Sequence, residues 1–134
     1  MWTCPDCGRR FARTGQTHSC STATVDDHFP PSDAAGRQLF NAFQAMVAAS
    51  GPYELDVIGR GVGFRGRSRV FARVWRTRAG LQGYLDLPGG TTNEHLHRTS
   101  PYGRLTVGHF TVTGVEGFDE GFQALVRLAY SVGG

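Results

Sequence analysis

The fold is decided by residues 69–87, which read RVFARVWRTRAGLQGYLDL. Apolar and polar side chains alternate through both halves of this stretch, and Ala79-Gly80 separates the halves. Such alternation is typical of a half-buried strand, and a short turn that contains glycine indicates antiparallel pairing of the two runs. The stretch therefore predicts two neighbouring antiparallel strands, at residues 69–76 and 81–87.

Three more segments continue the strand pattern outside this pair. They cover residues 53–58, 62–67 and 105–112, which have the period-two character of strands. Residues 91–103 lack this pattern and follow a Pro-Gly-Gly break at residues 88–90. We interpret residues 91–103 as a loop.

Two apolar stripes predict helices on either side of the strands. The first helix begins after Ser32, which can cap its first turn, and ends at Gly51-Pro52. The second helix covers residues 119–132. Their apolar stripes are formed by Leu39, Phe40, Phe43, Met46 and Val47 in the first helix and by Phe118, Phe122, Leu125, Ala129 and Val132 in the second.

The order of these elements is helix, about five strands, helix. No two strands are separated by the dozen or more residues that a parallel crossover needs. The sequence therefore predicts an α+β fold, in which an antiparallel sheet of about five strands has the N- and C-terminal helices packed on one face. Residues 32–134 form this domain, residues 23–31 are a joint, and residues 1–22 are a separate zinc-finger-like module.

The composition is that of a globular protein. Apolar residues make up 40% of the 134 residues and charged residues 19%. No apolar run approaches the roughly 18 residues needed to span a bilayer, and the first residues carry no signal-peptide core. All three cysteines lie within the first 20 residues, unlike the even, dispersed set of a secreted disulfide framework. We expect a cytoplasmic protein with reduced thiols and no membrane partner.

A metal-binding pattern occupies the N-terminus. Cys4 and Cys7 are separated by two residues and followed by Gly8, which tolerates the positive φ of a tight turn. His18 and Cys20 follow further along, and because side chains two apart in an extended segment share a face, both can reach the same ion. The pattern predicts one structural Zn²⁺ held in a closed tetrahedral site by these three cysteines and one histidine.

Two alternatives stay open at this site. A Cys-x2-Cys turn can be redox-active, but such turns sit at the strand-to-helix junction of a βαβ unit, and no strand is expected before Cys4. His18 has the least typical spacing of the four ligands, and His28 is the reserve candidate for its place.

Residues 1–11 read MWTCPDCGRRF, residues 16–20 read QTHSC and residues 25–29 read VDDHF. These motifs resemble a family of small bacterial proteins that join a short N-terminal zinc-finger-like segment to a C-terminal domain of unknown function. The resemblance is looser over the rest of the chain, where it includes Tyr102-Gly103. It implies the same two-part layout and implies no activity.

The predicted sheet carries a concentration of positive charge. Seven arginines and no acidic residue lie between Asp56 and Asp86, the chain contains no lysine, and its net charge is +3. A sheet face that mixes arginine with aromatic rings can bind phosphates and stack bases. The candidate nucleic-acid or anion-binding residues are Arg65, Arg67, Arg69, Arg73 and Trp75.

The position and role of these arginines on the sheet have alternative interpretations. Strict alternation puts Arg69, Phe71, Arg73 and Trp75 on one side of their strand, with aliphatic side chains on the other. Arginines on an exposed sheet can instead serve only solubility, by keeping the sheet unpaired. Phe71 and Trp75 can also form the buried face.

The sequence favours a small cytosolic zinc-containing binding module whose arginine-rich sheet surface takes nucleic acid or another polyanion. The alternative is a protein–protein adaptor that docks through the zinc segment. An enzyme that uses His109 is less favoured, because nothing indicates that its possible acid–base partners Glu54, Asp56 and Tyr102 meet it. His95 and His97 raise a weaker possibility, a second metal site.

The metal-binding pattern predicts about one Zn²⁺ per purified chain. Structural zinc sites contribute about 10–16 kcal/mol to the folding of their segment, so chelation should unfold residues 1–22 while the larger domain stays folded. Metal analysis of Cys7→Ser tests this, because full zinc content in that variant would refute the site. Zinc retained in His18→Ala alone would reassign only the fourth ligand.

Overall fold

The computed structural model describes residues 1–17 and 23–133 of the chain. Eight strands and three helices, with a single 3₁₀ turn at Val115–Gly117, make up the described part. The strands are β1 (Trp2–Thr3), β2 (Arg10–Phe11), β3 (Glu54–Ile58), β4 (Gly61–Arg65), β5 (Val70–Thr77), β6 (Gly80–Pro88), β7 (Arg98–Tyr102) and β8 (Leu105–Val112), and the helices are α1 (Val25–His28), α2 (Ala34–Ser50) and α3 (Glu120–Gly133).

The central sheet has six antiparallel strands in the order β3-β4-β5-β6-β8-β7, and β1 and β2 form a small hairpin of their own. The α+β class and the antiparallel pairing are confirmed, but the expected count of about five strands is wrong.

The extra strand, β7, lies inside the segment interpreted as a loop. It pairs with β8 through a two-residue turn in which Gly103 has φ +58°. Its sequence, RTSPY, is polar and contains Pro101, which is tolerated at a sheet edge.

Both long helices pack on one face of the sheet, as predicted. Asp33, one residue later than expected, caps α2 by accepting a hydrogen bond from the Gly36 amide, and α2 ends at Ser50 with Gly51 as its C-cap. Phe43 of α2 contacts the rings of Phe110 on β8 and Phe122 on α3. A single core of buried apolar side chains therefore lies between the helices and this inner face.

A β-bulge changes the predicted alternation of β5. Phe64 pairs with Ala72, but Arg65 pairs with Val70, so Phe71 is the extra residue. Phe71 turns to the inner face, where it is fully buried and contacts the ring of Tyr130. Phe71 therefore does not share a face with Arg73 and Trp75.

The segment interpreted as a joint contributes to the core. It contains α1, which begins with a capping box at Thr24. Phe29 follows this helix, is fully buried, and stacks on Phe40 of α2 at 4.6 Å between ring centroids. Arg37 donates a hydrogen bond to the Phe29 carbonyl at 3.0 Å. The joint is thus a packed part of the larger domain.

A search for membrane-spanning helices in the described residues found none of sufficient length and apolar character.

The shared core predicts unequal effects of two leucine substitutions on α3. Leu125 is 1% exposed, whereas Leu128 is 42% exposed on the same helix. Leu125→Ala should lower the free energy of unfolding by about 2–5 kcal/mol, and Leu128→Ala should change it by no more than about 0.5 kcal/mol. Denaturant unfolding measures both. Equal effects would contradict the packing of α3 on the sheet.

Candidate binding cleft on the outer sheet face

A row of directly opposed residues crosses all six strands on the outer face, away from the helices. Each member of the row is directly opposite a member on the neighbouring strand. The cross-strand register places them in the order Asp56, Gly63, Arg73, Tyr84, His109 and Arg98, from β3 to β7.

One end of this row is a buried cluster of charges. The Arg73 Nη2 atom lies 2.8 Å from Asp56 Oδ2, and Arg9 Nε lies 3.4 Å from Asp56 Oδ1. Arg73 reaches Asp56 across β4 because Gly63 has no side chain, and a Cβ there would lie 2.8 Å from Arg73 Nη2. Arg73 also donates to the backbone carbonyl oxygens of Asp56 and Gly61. Two guanidinium groups thus share one carboxylate and leave an excess of one positive charge.

Aromatic rings follow this cluster across the sheet. Tyr84 lies 6.2 Å from Trp75 and 6.0 Å from His109, measured between ring centroids. Trp75 Nε1 donates to Gln82 Oε1 at 3.2 Å, which fixes the indole against β6. All three rings are half-buried. Together they form a discontinuous aromatic surface across β5, β6 and β8.

The surroundings of His109 favour the neutral form of its ring. Burial lowers its pKa below the usual value, and the positive charges of Arg98 and His97 lower the pKa further. Arg98 Nη2 lies 3.2 Å from His109 Nε2. Because a guanidinium can only donate, Nε2 is the acceptor and the ring proton sits on Nδ1.

These groups line a cleft of about 1230 Å³. The α1 end of the cleft is formed by Asp27 and His28, and His28 Nε2 donates to the Ile58 carbonyl oxygen. Among the described lining residues the basic side chains outnumber the single carboxylate, that of Asp27. The basic lining residues are Arg60, Arg73, Arg76 and Arg98, with His28, His97 and His109.

Of the predicted anion-binding residues, only Arg73 and Trp75 line this cleft. Arg73 is buried against Asp56 rather than exposed in a strip with the others. Arg69 binds Asp86 at 2.8 Å, and burial raises the pKa of that carboxyl group although Arg69 opposes the change. Arg67 is exposed in the connection from β4 to β5, outside the cleft lining. The five candidate residues therefore do not all line this cleft.

Sequence reasoning missed Tyr84, Arg98 and His97 as members of the site. His97 and Arg98 are far from Trp75 in sequence, and only the pairing of β6, β8 and β7 brings them to it. Tyr84 lies on β6, the neighbouring strand, and its face was not assigned from the sequence. The alternation in β6 was the available signal, because Gln82 and Tyr84 lie on the face opposite Leu81 and Leu85.

The other predicted partners of His109 are far from it. Asp56 lies four strands away, about 19 Å at the usual strand spacing. Tyr102 pairs with Leu105, four residues along β8, which corresponds to about 13 Å. His95 does not join His97 in a metal site but lies 3.0 Å from Asp119. The acid–base set and the second metal site suggested by the sequence are not assembled.

The two described cysteines lie in the turn of the β1–β2 hairpin. The Cys4 amide donates to the Arg9 carbonyl and the Gly8 amide donates to the Cys4 carbonyl, both at 2.8 Å. Gly8 has φ +74°, and Cys4 is buried. A tight hairpin turn of this kind suits two thiolate ligands of one ion.

The rest of the zinc prediction falls outside the described residues, because His18 and Cys20 are not among them. Within the described part of the chain, no group of three or more cysteine, histidine or acidic side chains can hold a metal ion. Cys4, Cys7 and the reserve candidate His28 therefore do not form a site. The four-ligand zinc site stays a prediction.

The hairpin is bound to the sheet at β3. Arg9 contacts Asp56, and Arg10 forms an ion pair with Glu54, the first residue of β3. Arg9 is largely buried, whereas the Arg10–Glu54 pair is exposed. The two contacts connect the cysteine-bearing hairpin to the charge cluster at the end of the cleft.

Comparison of the chain with protein-family models, with curated proteins and with solved structures gave no match. The resemblance to small bacterial zinc-finger-like proteins therefore stays a prediction.

Removing the shared carboxylate should be far more damaging than removing its exposed neighbour. Asp56→Asn leaves Arg9 and Arg73 close together without a counter-charge, and breaking a buried ion pair costs about 3–5 kcal/mol. Glu54→Gln breaks an exposed pair on the same strand and should cost less than about 1 kcal/mol. Denaturant unfolding of both variants compares them, and a cost for Asp56→Asn as small as that for Glu54→Gln would show that the cluster does not stabilise the fold.

Proposed function

We propose that the protein binds single-stranded nucleic acid in the cleft on the outer face of its sheet. The observation that carries this proposal is the surface of Trp75, Tyr84 and His109 rings across three neighbouring strands, set among arginines. Exposed bases stack on aromatic side chains irrespective of their sequence, and a positive groove follows the phosphate backbone. A duplex hides its bases from such a surface, which favours a single strand as the occupant.

The charges around the rings support an anionic occupant. Of the lining arginines, Arg73 and Arg76 are bound to Asp56 and Asp33. Among the described residues, no carboxylate lies within ion-pair distance of Arg60 or Arg98, which stand at opposite sides of the rings. These two side chains are the proposed phosphate contacts, and the excess charge of the Arg9–Asp56–Arg73 cluster adds to the positive potential of the floor.

The N-terminal hairpin is proposed as a zinc-stabilised support for this surface. Cys4 and Cys7 lie in a turn that suits thiolate ligands, and His18 and Cys20 would complete the set around one structural Zn²⁺. Through Arg9 the hairpin contacts Asp56, and Asp56 holds Arg73. In this proposal zinc supplies no chemistry and acts only on the folding of the segment that meets the sheet.

Binding of a fluorescent single strand of about 12 nucleotides tests the proposal. Contacts from Arg60 and Arg98 to two phosphates should give a slope of about −1.4 in a plot of log affinity against log salt concentration. Arg98→Glu should weaken binding and reduce the size of this slope by about 0.7. Arg127→Glu, a change of the same charge on the exposed side of α3, is the matched control and should leave the slope unchanged.

Aromatic variants separate stacking from charge. Tyr84→Ala should weaken binding by about 5- to 150-fold, the usual loss of one stacked base. Tyr102→Ala removes an exposed tyrosine of the edge strand outside the cleft and should have no effect. Absence of binding at low salt, or equal losses in the two tyrosine variants, would reject the cleft as a nucleic-acid site and favour the adaptor reading.

A further inference from the structure

Two histidines lie side by side at the β7–β8 end of the cleft. The His97 amide donates to the His109 carbonyl at 3.0 Å, so the two residues are direct backbone neighbours. His97 Nε2 lies 3.2 Å from Thr111 Oγ1, and Thr111 lies two positions beyond His109 on the same face of β8. Residues two apart on a strand are separated by about 7 Å. The two imidazoles can therefore stand on either side of one phosphate group.

The two rings differ in their surroundings. His109 is half-buried and faces Tyr84 on β6 and Arg98 on β7, with Arg73 one strand further away. Its Nε2 lies 3.2 Å from Arg98 Nη2, and because a guanidinium can only donate, Nε2 is the atom that carries the lone pair. Burial and the charges of Arg98 and His97 both lower the pKa of His109. His97 is exposed to water.

The cleft offers a base and an acid but no strong nucleophile. Among the described lining residues there is no serine, cysteine or lysine. A base and an acid without a nucleophile suit a substrate that brings its own attacking group. RNA does so, because the 2′-hydroxyl lies next to the phosphodiester, whereas DNA lacks it.

We propose that this cleft cleaves single-stranded RNA, with His109 as the general base and His97 as the general acid. The inference rests on the proposed binding of single-stranded nucleic acid. Arg98 is exposed and can exchange its contact with His109 for a phosphate oxygen, which frees Nε2. A guanidinium at that oxygen would also stabilise the charge that develops on it.

The step balances within the substrate. His109 Nε2 takes the proton of the 2′-hydroxyl, and the 2′-oxygen forms a new bond to phosphorus. The bond between phosphorus and the 5′-oxygen breaks, and this oxygen takes a proton from the imidazolium of His97. The products are one strand that ends in a 2′,3′-cyclic phosphate and one that begins with a 5′-hydroxyl.

The test uses the full chain with a single-stranded RNA of about 12 nucleotides and with the DNA strand of the same sequence. We expect the RNA to be cut to cyclic-phosphate and 5′-hydroxyl ends and the DNA to be bound without cleavage. His109→Ala and His97→Ala should each reduce the rate by about 100-fold or more. His95→Ala, which removes a histidine bound to Asp119 outside the cleft, is the matched control and should keep the full rate.

The pH profile adds a second readout. Protonation of the base stops the reaction, so the rate of the wild-type protein should fall on the acid side with a midpoint below about 6.5. This acid limb should be absent from the residual activity of His109→Ala. Circular dichroism checks that each variant is folded, and if His109→Ala is not, the exposed His97→Ala decides.

The outcomes separate the two proposals. If the protein binds both strands but cuts neither, the cleavage proposal is wrong and the binding function stands. Cleavage that survives both His97→Ala and His109→Ala, or that attacks DNA equally, also refutes it. Binding of neither strand would refute the binding function and the cleavage together.

Discussion

The Asp56 carboxylate is the interaction on which the outer face depends. One oxygen binds Arg73 and the other meets Arg9, so a single buried group holds a side chain of the sheet and a side chain of the N-terminal hairpin. A buried carboxylate costs several kcal/mol unless it is paired. Since two arginines supply that pairing, the net charge of the cluster is positive, and the cluster adjoins the surface of aromatic rings.

This arrangement gives Arg73 a different task from the one its sequence position indicates. An arginine on a strand that alternates with aromatic residues is a natural phosphate contact, yet Arg73 lies flat over Gly63 and is buried. The positive charge of Arg73 therefore contributes to the potential at the floor of the cleft and is not exposed at its entrance. In the proposed binding function, direct contact with the phosphates is made by Arg60 and Arg98 at the rims, whose side chains are exposed.

Local patterns predicted the elements that carry their own signal. The apolar stripe with Phe43 at its centre identified α2, because a helix that packs on a sheet has apolar side chains at spacings of three and four residues. The apolar pattern did not predict β7, because its sequence RTSPY has no buried residues and so lacks the alternation of a half-buried strand. It failed again at Phe71, because a bulge depends on the register of two strands and not on one.

The site was less predictable than the fold, for the same physical reason. Trp75 was found because it lies in the strand with the clearest alternation. Tyr84 and Arg98 join it only through pairings across β6, β8 and β7, and the opposition of Arg98 to His109 is a property of that register. Phe29 was also missed. It is a core residue, but the prolines that follow it indicated a joint between domains.

The proline in β7 has a consequence for contacts between molecules. In a hairpin with a two-residue turn, the closing pair Tyr102 and Leu105 exchanges hydrogen bonds, so the backbone of Pro101 faces away from the sheet. Its missing N–H therefore interrupts the row of donors that β7 offers at this open edge. At the other edge, Arg9 and Arg10 place the hairpin against β3. The β7 edge is thus a poor place for a second copy to add a strand, which opposes growth of the sheet into an aggregate.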